Sequence, residues 1–242
     1  MEKPKIISLV GLTSSGKTGL GIELAKRFNG EIVSCDSRQI YRGLDIGTGK
    51  VTPEEAQGIP HHLIDIVDPG RPFDVYRFQQ LAFATIDDIL ARGKLPILVG
   101  GTGLYSRAVV ENFDFSQPDK IQERRYNVLQ IALMPDKVWL GERIALRNNE
   151  RFKQGMLDEL RGLIDAGVCE NWLRGLGYEY RLNMRLLYGW NIDEYNREFH
   201  TKSMQYAKRQ RTWFKRERDT IFLNDPNKFL DECTRLVEEA TK

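Results

Sequence analysis

The chain has 242 residues, 41% of them hydrophobic and 29% charged, and a formal net charge of +2. That length is enough for one α/β domain with a buried core, and the composition excludes a disordered chain. The near-neutral total decides nothing about nucleic acid, whose footprint would be a local basic patch, and no apolar run is long enough to span a membrane.

Ile6 to Val10 reads as a buried parallel strand, and as a core element, not a signal peptide. Gly11-Leu12-Thr13-Ser14-Ser15-Gly16-Lys17-Thr18 follows, and then an amphipathic helix carrying Leu20, Ile22, Leu24, Ala25 and Phe28. Strand, G-x-x-x-x-G-K-T and helix make up the phosphate-binding loop. Gly11 and Gly16 permit backbone angles that aim successive N–H groups inward, and the helix start adds its positive end. Lys17 neutralises phosphate oxygens, and Thr18 offers a hydroxyl to phosphate or to bound magnesium. Glu31 to Cys35 is a second strand, ending at Asp36. Thr52 before Pro53 predicts a helix N-cap. A third strand is expected over His62–Val67, a helix over Phe73–Arg92, and a fourth strand over Lys94–Val99 that opens into Gly100-Gly101-Thr102-Gly103. Residues 112–125 interrupt the rhythm with a turn-like stretch to Pro118 and a charged run from Lys120. Val128–Leu133 is a fifth strand, helices dominate from Asp136, and Ile221–Leu223 has the composition of a last short strand. The alternation predicts a phosphate-loop NTPase-like α/β fold, with a parallel sheet of about five strands, helices on both faces and a helical C-terminal part. Ligands of such sheets lie beyond the carboxyl ends of the strands. There the phosphate loop, Asp36 and Thr102 converge.

Asp36 has two readings: a general base or metal-associated carboxylate aimed at the phosphates, or a cap on the following turn. Ser37, Arg38 and Gln39 can cap, pair or hydrogen-bond a planar base. Arg143, Arg147 and Arg151 recur every fourth residue on one predicted helix and share one face, which by itself reads as a solvated basic stripe interleaved with Glu142 and Glu150. Phe199, Tyr206 and Trp213 repeat every seventh residue as a core stripe. Lys202, Arg209 and Arg216 repeat in step with them, in a basic segment that suits a phosphate backbone. His61 and His62 point to opposite faces of a strand and lack a third ligand, which favours packing over metal binding. Cys35, Cys169 and Cys233 form no C-x-x-C pair and fit reduced thiols in the cytosol.

The phosphate loop, Asp36-Ser37-Arg38-Gln39-Ile40-Tyr41, Asp45-Ile46-Gly47-Thr48, Gly58 to Leu63, and Leu98-Val99-Gly100-Gly101-Thr102-Gly103-Leu104-Tyr105 resemble the tRNA dimethylallyltransferases. Arg143-Ile144 with Arg147, Leu176-Gly177-Tyr178, and Tyr206 to Phe214 continue the resemblance in the same order. It implies transfer of a dimethylallyl group from dimethylallyl diphosphate to N6 of adenosine beside the tRNA anticodon, with release of pyrophosphate. Gly11, Thr13, Ser14, Ser15, Gly16, Lys17, Thr18 and Arg147 are then the diphosphate residues, Thr18 shares Mg²⁺ with the diphosphate, and Asp36 is the base. Thr102 lines the site. Asp36, Ser37, Arg38, Gln39, Thr102, Gly177, Tyr178, Lys208, Arg209, Gln210, Thr212 and Trp213 are the implied tRNA contacts.

Two departures stand out. Members of the family carry a helical insertion after the Gly-Gly-Thr-Gly-Leu-Tyr helix, whereas here a short linker at 112–125 occupies that position, with Arg124 and Arg125 as remaining cations. Leu12 also replaces the family's proline. The expectation is a single-domain, cytoplasmic, monomeric transferase. Alternatives are an adenylate isopentenyltransferase, a phosphate-loop small-molecule kinase that binds ATP, and a non-catalytic RNA-binding relic.

Overall fold

Alternating strand and helix patterns resolve into a six-stranded, wholly parallel sheet of order β3-β2-β4-β1-β5-β6. The strands are β1 (Lys5–Gly11), β2 (Gly30–Ser34), β3 (His61–His62), β4 (Leu95–Gly100), β5 (Asn127–Leu133) and β6 (Thr220–Leu223). This computed structural model describes residues 3–117, 120 and 122–242; Pro118, at the end of the turn-like stretch, and Ile121, in the charged run, lie outside the described residues. Side chains alternate across the sheet as a pleat requires. Ile7, Leu9, Ile97 and Ile131 face α1 (Lys17–Arg27) and α10 (Phe229–Thr241). Ile6, Val33 and Leu98 face α3 (Val75–Ala91) and α4 (Gly103–Val110).

A second layer of helices covers the carboxyl ends of the central strands. α5 (Lys137–Lys153), α8 (Tyr178–Leu187) and α9 (Ile192–Phe214) pack around Val10, Leu12, Ala132 and Met134, with Tyr195 and Phe214 fully enclosed. Leu12, the residue that stands in place of the family's proline, is completely buried here, so its side chain ties the phosphate loop to α9. α6 (Met156–Asp165) and α7 (Glu170–Gly175) close over Ile40, Tyr41 and Leu44. Among the described residues, no helix is long and apolar enough to cross a membrane.

Local signals hold at several ends. Thr52 forms a full capping box with Glu55 at the start of α2 (Pro53–Ala56), a device worth about 1 kcal/mol. The expected strand over His62–Val67 is much shorter. Leu63 (φ 61°) and Asp65 (φ 54°) adopt left-handed angles that end it after His62, and only a Tyr41–Val67 bridge follows. The turn brings Asp65 to the buried Lys50, which Asp45 also binds. His62 bonds Glu31, a buried carboxylate also held by Arg92 and Lys94. His61 bonds the Ile59 carbonyl. Each histidine thus makes a polar contact within the fold.

From α4 to β5 the described chain is irregular. Phe113 and Phe115 pack edge-on with each other, and Phe115 with Tyr76. Glu111, at its start, accepts hydrogen bonds from Arg124 and from Arg218 beyond the end of α9.

Candidate active site

A cavity of about 510 Å³ lies over the carboxyl ends of β1, β2 and β4, roofed by α5, α8 and α9. Its floor holds Thr13, Ser14, Lys17 and Thr18 of the phosphate loop, Asp36 to Gln39 after β2, and Thr102 after β4. The three strand tips thus meet in one space. Thr102 accepts the Ser37 N–H at 3.1 Å, locking two of those tips together. Asp36 caps the turn after β2, where Oδ1 accepts the Arg38 N–H at 2.8 Å, and the residue also lines the cavity. Gln39 accepts the Ser34 hydroxyl and donates to the Gly49 carbonyl.

The phosphate loop is held from above. Gln210, buried on α9, accepts the Thr13 N–H at 2.8 Å and donates to the Gly101 carbonyl at 2.9 Å. Two of the expected inward-pointing donors are consequently engaged within the protein: Thr13 N–H with Gln210, and Ser15 N–H with Leu12. Gly11, Ser15 and Gly16 do not line the cavity. Ser15 is buried, and a side chain at Gly11 would meet the Leu133 backbone at 2.5 Å, so Gly11 serves strand packing. Gly16, at φ 87°, precedes the first turn of α1.

Cations dominate the far wall. Lys17 donates to the Leu12 carbonyl. Burial pushes its pKa down to about 7, the Arg147 charge adds to that, and Asp36 opposes both. Arg151 beside it, and then burial, push Arg147 down to about 9. Neither arginine forms an ion pair among the described residues. Arg147 reaches only the Gly49 carbonyl, at 3.4 Å, and the Arg151 Nε has no partner. Burying charge without compensation is costly, and an anion placed against this wall would relieve that cost. The four-residue stripe splits: Arg147 and Arg151 line the cavity, while Arg143 is exposed and lies over Trp139. Successive members drift about 40° around a helix, enough to swing the first into solvent.

Opposite the phosphate loop is an apolar wall of Ile144, Leu176, Tyr178, Phe199 and Tyr206. The reading of the aromatic stripe as core holds for Phe199, which is buried, but Phe199 and Tyr206 also face the cavity. Trp213 lies against Gly103, outside the lining. Gly177, Tyr178 and Arg209 line the cavity, whereas Lys208 and Thr212 sit exposed on the outer side of α9. Sequence reasoning missed Glu179, Arg181 and Ser203 as lining residues; nothing in their spacing separates them from ordinary helix positions.

A family model described as IPP transferase matches residues 39–125 and 113–217, and one described as isopentenyl transferase matches 4–68. A tRNA dimethylallyltransferase 2 from Shewanella sediminis is 38% identical, with 89% of this chain and 90% of the relative aligned. The chain belongs to the tRNA dimethylallyltransferase family. A tRNA dimethylallyltransferase from Geobacillus thermodenitrificans is 35% identical over 93% of this chain and 92% of its own. The crystal structure of the Bacillus halodurans tRNA isopentenylpyrophosphate transferase superposes with a TM-score of 0.86, at 32% identity and 99% coverage of both chains. A eukaryotic dimethylallyltransferase acting on tRNA, 22% identical, shares the fold with a TM-score of 0.80 over 97% of this chain and 77% of its own. The Shewanella alignment runs over 273 positions, more than the 242 residues here. That family member therefore carries residues without a counterpart in this chain. The two stretches of the IPP transferase model overlap at 113–125, inside the irregular passage from α4 to β5.

Proposed function

We propose that the protein transfers a dimethylallyl group from dimethylallyl diphosphate to N6 of an adenosine beside the tRNA anticodon. The observation that carries this reading is a single cavity holding an unneutralised cation wall, a carboxylate and an aromatic wall. The cations and the phosphate loop suit a diphosphate, Asp36 suits the amine, and the apolar wall suits the allyl chain and the adenine ring. In the reaction the C1–O bond of the donor breaks, its electron pair leaves with pyrophosphate, and the N6–C1 bond forms. Lys17 and Arg147 stabilise the departing charge, and the Asp36 carboxylate takes the N6 proton.

The donor set fits magnesium. Thr18, exposed in the cavity at the start of α1, offers one hard oxygen, and diphosphate oxygens and water would supply the rest, as this ion prefers. Bound there, Mg²⁺ would neutralise charge on the leaving group.

A macromolecular acceptor is favoured over free adenine nucleotide by α9 and the chain after it. Lys208, Arg209, Lys215 and Arg216 are exposed there, and none pairs with a carboxylate among the described residues. The reading carries with it a monomeric cytoplasmic enzyme, in keeping with three free cysteines.

The test is an acceptor assay with labelled dimethylallyl diphosphate, tRNA and AMP side by side, on wild type and Asp36→Ala. Label should enter tRNA, and the variant should lose roughly 10²-fold or more in rate while retaining pyrophosphate binding. Label in AMP alone would assign the adenylate enzyme instead, and an unchanged variant would remove Asp36 as the base.

A further inference from the structure

Arg151 stands one helical turn beyond Arg147. It is only 9% exposed, its Nε has no hydrogen-bond partner, and it forms no ion pair among the described residues. Asp36 and Glu179 line the same cavity, and neither pairs with it among the described residues. A cation in the last turn of α5 gains from the helix dipole, but an exposed one gains as well, so the dipole does not account for the burial. The Arg147–Arg151 pair also lines a second cavity, of about 660 Å³, on the other side of the 45–50 loop. Gly49 makes this partition possible: at φ 63°, a side chain there would collide with both guanidinium groups. The structure keeps two adjacent arginines close together and unpaired where the phosphate-loop cavity ends.

We propose that Arg151 is a second donor-binding residue: with Arg147 it grips the phosphate farther from the allyl carbon, making the site selective for a diphosphate over a monophosphate. This rests on the prenyl-transfer reading above. The division of labour follows from geometry. The phosphate loop and Lys17 serve one phosphate at the helix start, and the arginine pair extends the positive wall by one helical turn, about 5.4 Å, towards the second. Guanidinium groups suit the role because they bind phosphate oxygens in pairs.

The test is calorimetric titration with inorganic pyrophosphate and with inorganic phosphate, on wild type, Arg151→Met and Arg151→Lys. Arg151→Met should weaken pyrophosphate binding by about tenfold or more, the loss expected for hydrogen bonds to a charged group, and should change phosphate binding by less than about twofold. Arg151→Lys should recover part of the loss. Without ligand, Arg151→Met should melt at or above the wild-type temperature, because an unpaired buried charge has been removed. That separates a binding role from a structural one, which predicts a lower melting temperature and equal losses for both anions. Pyrophosphate affinity within twofold of wild type in Arg151→Met overturns the inference alone. A wild-type protein that fails to bind pyrophosphate overturns the inference and the prenyl-transfer reading together.

Discussion

Lys17 is poised by its neighbours. Its pKa falls from an ordinary 10.5 to about 7 through burial and the charge of Arg147. Between those pH values the unfolded chain binds the proton that the folded chain has released. This group therefore makes the ligand-free protein more stable as pH rises from about 7 towards 10, and below that range the penalty of a buried ammonium is fully present. Lys17→Met should accordingly unfold at higher denaturant than wild type at pH 6.5, and its advantage should shrink by pH 9.5. An advantage constant with pH would show that the lysine is fully charged throughout. On the proposed reading, opposite charges in the ligand would reverse the penalty, so the residue that destabilises the free fold would be the one that rewards a bound diphosphate. At this scale the sequence was informative for Lys17, Asp36 and Thr102, because each sits at a strand tip beside a glycine turn or a phosphate loop. It could not distinguish Arg143 from Arg151, since a four-residue repeat does not say which member faces inward; only the packing of α5 against β1 and β5 decides that.

Among the elements, α9 does most to shape the site. Its N-terminal half contributes Phe199 to the apolar wall, its middle contributes Tyr206, and its last turns hold Gln210 between the phosphate loop and the Gly101 turn. Removing that amide leaves a buried carbonyl unsatisfied, which costs about 1–3 kcal/mol, and frees the part-buried Thr13 N–H. Gln210→Ala should therefore lower the urea midpoint and raise KM for the allylic donor, as the loop loses its brace. A variant that unfolds at the wild-type midpoint would reduce Gln210 to a bystander. The heptad of Phe199, Tyr206 and Trp213 announced a buried face, and Phe199 sits in it. The periodicity could not reveal that the same face leans over the phosphate loop, because that depends on a crossing with β1 distant in sequence. The third strand failed for the opposite reason. Its apolar residues look extended, but left-handed angles at Leu63 and Asp65 let Asp65 reach Lys50, and such an ion pair leaves no trace in local composition.

Across the whole molecule, charge is unevenly spread on a nearly neutral protein. Lys208, Arg209, Lys215 and Arg216 lie exposed around the end of α9, beside the mouth of the cavity that Arg209 itself lines. Neutralising phosphates with such a group releases counterions, so affinity for tRNA should fall steeply with salt. Arg209→Glu with Arg216→Glu should weaken tRNA binding and flatten the slope of log affinity against log salt by about one per lost phosphate contact. An unchanged slope would assign these cations to solubility alone. The parallel sheet and its helical layers were legible from alternation, since parallel sheets demand helical crossovers, but the order β3-β2-β4-β1-β5-β6 was not, because it depends on pairings distant in sequence. The sixth strand was foreshadowed only by Ile221 to Leu223.

Glu111 clasps Arg124 from the far end of the α4–β5 passage and Arg218 from beyond α9. The two shores of that passage are thereby stitched together by charge, independent of the length of chain looping out between them. An insertion or deletion between those shores would leave both ion pairs, and with them the seam, in place.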